Sequence, residues 1–208
     1  ILTGTLGLGA FAIPGFALAQ SLGGLGFTHN VASGEPASDS MLLWTRYVPA
    51  NGGAVELTVE LSETPDFAKI VAGGVAITGP WRDHTTKITV DGLRAGRTYH
   101  YRFVAPDGSF SPVGRTKTLP DGDAKQWRAA IFSCSNMGFG WFNAYAHAAA
   151  RDDIDCTVHL GDYFYEYATG NYPVAKDAVA GRTPLPAGEL IQLADYRLRY
   201  ASYRADPD

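Results

Sequence analysis

The sequence predicts a β-sandwich followed by the beginning of an α/β domain. Short runs of β-branched and aromatic residues, separated by turn residues, fill the first half of the chain, and a strand–helix–strand pattern follows residue 123. The chain has 24 Gly and 12 Pro among 208 residues, a composition that favours short strands and turns. Hydrophobic residues make up 46% and charged residues 18%, which indicates a globular protein with a core and excludes a disordered chain.

Charge and cysteine content exclude two further classes of protein. Lys and Arg number 17 against 21 Asp and Glu, so the net charge is −4, and no basic run occurs. A protein dedicated to nucleic acid would carry a basic patch, so nucleic acid is not predicted as a partner. Two Cys residues are too few for a disulfide scaffold.

The first 20 residues are apolar and uncharged. Ala17-Leu18-Ala19 matches the small-x-small pattern of a cleavage site, so residues 1–19 are predicted to be the remnant of a secretory signal peptide whose positively charged region is missing. The alternative is a membrane span, which Pro14 and the nearby glycines disfavour. We therefore expect a clipped N-terminus, a mature protein that starts near Gln20, and a secreted, periplasmic or cell-envelope location.

Residues 28–119 are predicted to form the β-sandwich. Val55, Leu57, Val59 and Leu61 alternate with polar residues, the pattern of a strand with one solvated face. The other candidate strands are Met41–Val48, 70–77, Thr85–Val90, Thr98–Val104 and 113–118, with turn signals such as Gly73-Gly74 between them. The segment GLRAGRTYHYRF at 92–103 resembles the turn and strand near the end of fibronectin type III modules, which favours a fibronectin III/Ig-like sandwich.

A polar linker at 120–123 precedes the α/β segment, residues 126–208. Candidate strands at 127–133 and 155–160 flank an Ala-rich helix at 142–151, which predicts a right-handed, parallel βαβ unit. A second helix is predicted over 189–204. Its apolar stripe is Leu190, Leu193, Tyr196, Tyr200 and Tyr203.

The carboxyl ends of parallel strands are where sites form in α/β sheets. Adjacent parallel strands would place Cys134 and Asp162 side by side, with Gly161 allowing a sharp turn. Asp162 could then present one carboxylate oxygen to each of two metal ions, while Tyr165 and Cys134 supply a phenolate and a thiolate to a hard trivalent ion.

Each of these residues also has an ordinary structural interpretation. Cys134 could be a small buried hydrophobic residue, and Tyr165 could belong to a simple strand or core edge. His159 lies within its strand, which favours a core or supporting role over that of a ligand. Cys156 is interpreted as packing, because it begins its strand whereas Cys134 ends its own, and a disulfide between them is not expected.

Taken together, the segments resemble the PhoD family of alkaline phosphatases. Residues 27–49 (FTHNVASGEPASDSMLLWTRYVP) are similar to the opening of the family's N-terminal domain. The start of its metallophosphoesterase domain, which is purple-acid-phosphatase-like, is matched at 132–136, 142–145 and 159–167 (HLGDYFYEY), and a later family helix at 195–208.

The resemblance implies a secreted phosphoric monoester or diester hydrolase, exported by the twin-arginine route, with one Fe(III) and Ca(II) ions. Carried over by position, Cys134, Asp162 and Tyr165 are the implied iron ligands, with Asp162 bridging to calcium, and Asp162 is the implied catalytic residue. Small phosphoesters are the implied substrates, and a monomer is expected.

The family's remaining ligands come from segments after Asp208. We therefore expect an incomplete site and little or no catalysis by residues 1–208 alone. The alternative function is a fibronectin-III-like binding module without catalysis, with Trp81 among its contacts, although Trp44 is predicted to be buried inside the sandwich.

Overall fold

The structure is a computed structural model, and it describes residues 24–208. The predicted signal-peptide remnant, residues 1–19, lies outside the described residues. Within 24–208, no helix is both long enough and apolar enough to cross a membrane.

Seven antiparallel strands form two sheets in the first half of the described chain. They are β1 (Gly26–Gly34), β2 (Met41–Val48), β3 (Val55–Ser62), β4 (Ala72–Thr78), β5 (Thr85–Val90), β6 (Thr98–Val104) and β7 (Gly114–Lys117). The three-stranded sheet has the order β1-β2-β5, and the four-stranded sheet has the order β4-β3-β6-β7. The bounds of β2, β5 and β6 confirm the predicted ones.

Both sheets contribute to one hydrophobic core, so the two sheets form a sandwich. Met41 and Leu43 come from β2, whereas Leu57, Val59 and Phe103 come from β3 and β6. Alternate residues of β3 are buried, as the predicted period of two requires.

The prediction of a turn at Gly73-Gly74 is wrong, because both residues lie inside β4. A Cβ atom on Gly73 would lie 2.2 Å from the carbonyl oxygen of Val59 on β3. A Cβ atom on Gly74 would lie 2.8 Å from a methyl group of Ile88. Glycine is needed here for close packing rather than for chain reversal.

The prediction that Trp44 is buried inside the sandwich is also wrong. Trp44 alternates with the core residue Leu43 along β2, so it faces outward and is only half-buried. Its ring meets Tyr200 edge-on at 6.3 Å between centroids, and the Arg204 guanidinium lies 5.3 Å from the Trp44 ring. Trp44 thus joins the sandwich to the C-terminal helix. Trp81 is exposed.

The α/β segment contains the predicted parallel βαβ unit. Strands β8 (Ala129–Phe132) and β9 (Cys156–His159) pair in parallel, with Ala129 opposite Cys156 and Phe132 opposite His159. Helix α1 (Asn143–Ala149) connects them. Both strands therefore end at the same edge, directly before the two segments predicted to carry the site.

Helix α2 (Leu193–Arg204) begins four residues later than predicted. The Asp195 carboxylate accepts hydrogen bonds from the backbone N–H groups of Ile191 and Gln192, at 3.1 and 2.9 Å. This capping interaction fixes the start of the helix at Leu193.

The predicted apolar stripe of this helix is wrong in its first turn, because Leu193 and Tyr196 are 66% and 40% exposed. The buried residues of α2 are Leu198, Arg199, Ala201, Ser202 and Tyr203. The face that packs is therefore centred on Arg199, whose buried guanidinium binds carbonyl groups of the preceding loops.

Candidate metal centre

Two loops meet at the carboxyl ends of β8 and β9, and backbone hydrogen bonds hold them together. The N–H of Cys134 donates to the carbonyl oxygen of Gly161 at 3.1 Å, and the N–H of Ser135 donates to that of Asp162 at 2.8 Å. These two bonds fix the separation of Cys134 and Asp162 independently of their side chains.

Three residues of these loops have left-handed backbone conformations. The φ angle is 58° at Cys134, 53° at Asp162 and 133° at Gly161. Glycine adopts such angles without a steric penalty, as predicted for Gly161, whereas Cys and Asp do so at a cost. Backbone strain of this kind concentrates at functional sites, where the surrounding structure enforces it.

The three predicted ligands converge in the structure. The Sγ atom of Cys134 lies 3.4 Å from Oδ2 of Asp162. Tyr165 belongs to the same cluster electrostatically, because Cys134 and Asp162 both raise the pKa of its phenol. Cys134 and Asp162 are exposed and Tyr165 is half-buried, so the cluster lies at an accessible surface.

Tyr165 is the electrostatically unusual member of this cluster. Partial burial raises the pKa of its phenol, and the hydrogen bond to Cys134 and the charge of Asp162 raise it further. Each of these causes disfavours a phenolate beside a thiol and a carboxylate. A bound cation would reverse the balance, because it stabilises all three anionic donors at once.

The donor set fits a metal ion. Carboxylate and phenolate oxygens suit hard cations, and the Cys134 thiolate would add an anionic sulfur donor beside them. Within 24–208, no three His, Cys, Asp or Glu side chains gather closely enough to hold a metal. The capacity of this site therefore depends on the Tyr165 phenolate.

His159 is hydrogen-bonded to both loops but is not one of the three clustered donors. Its Nε2 atom is 3.0 Å from Ser135 Oγ and 3.1 Å from the Tyr145 hydroxyl, and those two oxygens are also hydrogen-bonded to each other. Its Nδ1 atom accepts a hydrogen bond from the N–H of Gly161 at 3.3 Å. His159 therefore braces both loops, in the supporting role predicted for it.

Cys156 is far from the cluster along the sheet, because it opens β9 whereas Cys134 follows the end of β8. Burial raises the pKa of the Cys156 thiol. Both cysteines are free.

Arg199 is a contributor that the sequence analysis missed. Its buried guanidinium donates to the carbonyl oxygen of Tyr165, and to those of Leu185 and Pro186 at 3.1 and 2.7 Å. It thereby fixes the backbone that carries the candidate phenolate ligand. The sequence does indicate that Arg199 lies on the packed face of the helix, because it is three residues from Tyr196 and four from Tyr203, inside the predicted apolar stripe.

Comparison with known families matches both parts of the chain. Residues 14–120 match the family model described as PhoD-like phosphatase, N-terminal domain, and residues 129–208 match that of PhoD-like phosphatase. The chain is 40% identical over 189 residues to alkaline phosphatase D of Bacillus subtilis (strain 168), covering 86% of this chain and 32% of that protein.

The fold comparison agrees with the sequence comparison. A solved structure titled "Structure of PhoD" matches with a TM-score of 0.79 at 38% identity, covering 88% of this chain and 36% of that one. The chain thus spans about a third of the length of each relative. Because two family models match in order along the chain, this protein belongs to the PhoD-like phosphatase family.

Proposed function

We propose that this chain carries a metal-ligand cluster of a metal-dependent phosphoric ester hydrolase, an alkaline phosphatase or phosphodiesterase acting on small extracellular phosphoesters. The convergence of Cys134, Asp162 and Tyr165 at the ends of two parallel strands carries the proposal. Membership of the PhoD-like phosphatase family supports it. The corresponding fold is a partial metallophosphoesterase domain beginning near residue 126.

Fe(III) is the ion proposed for Cys134, Asp162 and Tyr165, and Ca(II) is proposed beside Asp162, whose carboxylate has a second oxygen to share. Bound there, such ions would polarise a phosphoryl oxygen and lower the pKa of a water molecule so that it can attack phosphorus. The chain's own contribution is preorganisation. The two backbone hydrogen bonds between the loops, at 3.1 and 2.8 Å, hold the thiol and carboxylate together before any ion arrives.

Hydrogen bonds from neighbouring residues hold the backbone that carries these donors. His159 braces the backbone of Gly161 and the side chain of Ser135, and Arg199 holds the carbonyl oxygen of Tyr165. Such supporting hydrogen bonds typically change metal affinity by about 10–100-fold when they are removed.

Secretion through the twin-arginine route and a monomeric state complete the proposal. They are supported by the apolar residues 1–19 and by the family resemblance. Both stay predictions.

Metal content tests the proposed function. The 208-residue chain, incubated with iron and calcium salts and desalted, should retain iron when measured by plasma mass spectrometry. Asp162→Asn should weaken iron and calcium retention by at least about tenfold, because it removes a charged donor from the cluster. Asp177→Asn, at an exposed position outside the cluster, is the matched control and should retain metal like the unaltered chain.

Equal iron retention by the Asp162→Asn variant would overturn the assignment. The same measurement separates the hydrolase from a fibronectin-III-like binding module. In such a module, residues 28–119 alone would bind a ligand and the chain would take up no iron.

A further inference from the structure

An open cavity of about 240 Å³ adjoins the candidate metal centre. Cys134 forms part of its wall, and the exposed aromatic residues Phe139 and Trp141 form another part. We propose that this cavity is a subsite for the planar, uncharged ring of a phosphoester's leaving group, a nucleoside or aryl alcohol, with Trp141 as its stacking platform. The leaving-group role rests on the proposed function.

Trp141 is held in place from one side. The Arg182 guanidinium lies 4.2 Å from the centroid of its ring. Arg182 is itself 6% exposed, donates from Nε to the carbonyl oxygen of Gly140 at 3.0 Å, and forms a buried ion pair with Asp206. Because the guanidinium is anchored at two points, to Gly140 and to Asp206, it holds the indole that stacks on it.

The indole nevertheless remains 56% exposed. Phe139, two residues earlier, is 49% exposed and rests edge-on against Tyr172 at 5.3 Å between centroids. Two braced aromatic rings therefore line one cavity while much of their surface contacts solvent. Such rings have apolar surface left to bury against a ligand.

The polarity of the cavity indicates what kind of group would enter. None of the described residues that line it is Asp, Glu, Lys, Arg or His. Its Ser135 and Asn136 side chains are already hydrogen-bonded, Ser135 to His159 at 3.0 Å and Asn136 to the N–H of Gly138 at 3.0 Å. The cavity thus offers stacking surface and little charge, which suits an uncharged ring better than a second phosphate or a flexible polyol.

The candidate metal centre and the cavity share a residue, and this determines how a phosphoester would lie between them. Because Cys134 belongs both to the candidate ligand cluster and to the cavity wall, a phosphoester held at the centre would have its alcohol portion beside the cavity. Stacking of a ring on Trp141 would then favour ring-bearing phosphoesters over those of glycerol.

Binding of adenosine to the full 208-residue chain in the presence of a chelator tests this subsite. Adenosine carries the ring without a phosphate, so the result does not depend on metal binding. Each of the four Trp residues carries one indole N–H group, which NMR spectroscopy detects and Trp substitutions assign. Adenosine should shift the Trp141 signal saturably and leave the Trp127 signal unchanged, and glycerol should shift neither.

Substitutions make the test quantitative. By ligand-observed NMR, Trp141→Ala should raise the adenosine dissociation constant about tenfold, and Trp141→Phe should restore most of the affinity because it returns a ring. Trp127→Ala is the matched control, since Trp127 is 61% exposed and does not line the cavity. It should bind adenosine like the unaltered chain.

Unchanged adenosine affinity in Trp141→Ala, or equal shifts of the Trp127 and Trp141 signals, would overturn the subsite. Failure of the two proposals is distinguishable. A chain that binds iron but not adenosine keeps the hydrolase and loses the subsite. A chain that binds adenosine at Trp141 but no metal keeps the ring site and loses its role as a leaving-group pocket.

Discussion

Cys134 and Asp162 both have backbone conformations that cost free energy in a residue with a side chain. The cost is roughly 1–3 kcal/mol for each such residue. Two backbone hydrogen bonds between the loops offset part of it and keep both residues at the edge of the parallel sheet. The two candidate ligands thus share a constrained backbone, as do five non-glycine residues of the sandwich, among them Asn30 and Asp83.

His29 is the most perturbed titratable residue at the junction of the sandwich and α2. It is 1% exposed, and burial first and then the positive charge of Arg46 lower its pKa to about 4. Arg204 lowers the pKa further and Asp83 raises it. Protonated His29 would thus be a third cation beside two arginines and a single carboxylate.

His29→Gln should flatten the acid side of the stability profile. Between pH 6.5 and about 4, the unfolded chain binds a proton at His29 that the folded chain excludes. The contribution of neutral His29 to the free energy of unfolding is therefore fully present above pH 6.5. It is lost as the pH drops, by up to about 3 kcal/mol near pH 4. Urea unfolding at several pH values measures this loss. The exposed His147→Gln is the control, and parallel profiles for His29→Gln and the unaltered chain would refute the assignment.

At the scale of elements, α2 organises the loop that carries Tyr165. Arg199 is buried in the middle of this helix, and its guanidinium reaches carbonyl groups on both sides of the long loop that precedes the helix. This side chain adds to the backbone hydrogen bonds that already join the two sides of the loop, and it supplies donors to carbonyl groups that those bonds leave unpaired.

Arg199→Leu should destabilise the chain by about 3 kcal/mol and also weaken iron retention. The substitution leaves buried carbonyl groups without a donor, each of which costs roughly 1–3 kcal/mol, and it frees the Tyr165 backbone. Arg197→Leu, on the same helix but only half-buried, is the control and should change stability by much less. Chemical denaturation and metal analysis measure the two effects. Loss of stability with full iron retention would show that Arg199 does not position the cluster.

The alternation of apolar and polar residues predicts the regular strands, and it fails where tertiary packing distorts a strand. The bounds of β5 and β6 were predictable because their apolar residues alternate between turns. Strand β1 was missed because Asn30 has a φ of 62° and the register with β2 shifts between Phe27 and Val31, which breaks the alternation.

The same distinction applies to the candidate site. The proximity of Cys134 and Asp162 followed from a parallel βαβ unit, which local pattern does reveal. The spacing of Arg199 places it on the packed face of its helix, but the contacts of Arg199 and Trp141 could not be assigned, because their partners are carbonyl groups and side chains distant in the chain. No periodicity in the sequence encodes such contacts.

On the scale of the whole molecule, the sandwich and the α/β segment meet on two sides. Arg204 donates to the carbonyl oxygen of His29 at 2.7 Å while its guanidinium lies over Trp44. Ion pairs join Arg115 and Lys117 of β7 to Asp152 and Asp155 before β9. The sandwich therefore supports α2, and α2 in turn supports Tyr165.

The 208-residue chain alone should hydrolyse no phosphoester above background. Residues 24–208 bring together one set of three donors, and the chain spans about a third of alkaline phosphatase D and of the solved PhoD. Release of nitrophenol from mono- and bis-nitrophenyl phosphate, with iron and calcium present, measures the rate. Turnover that copurifies with the chain and disappears in Asp162→Asn would contradict this expectation.

Binding of one metal ion by Cys134, Asp162 and Tyr165 should be visible in the absorption spectrum of the iron-loaded chain. A Tyr165 phenolate bound to Fe(III) should add a phenolate charge-transfer band to the visible spectrum, separate from any absorption of the Cys134 thiolate, and Tyr165→Phe should lose that band. Tyr167→Phe is the matched control, because Tyr167 stacks beside Tyr165 at 6.2 Å between centroids and is 45% exposed, and it should keep the band. A colourless iron-loaded chain, or a visible spectrum that Tyr165→Phe leaves unchanged, would contradict this ligand set.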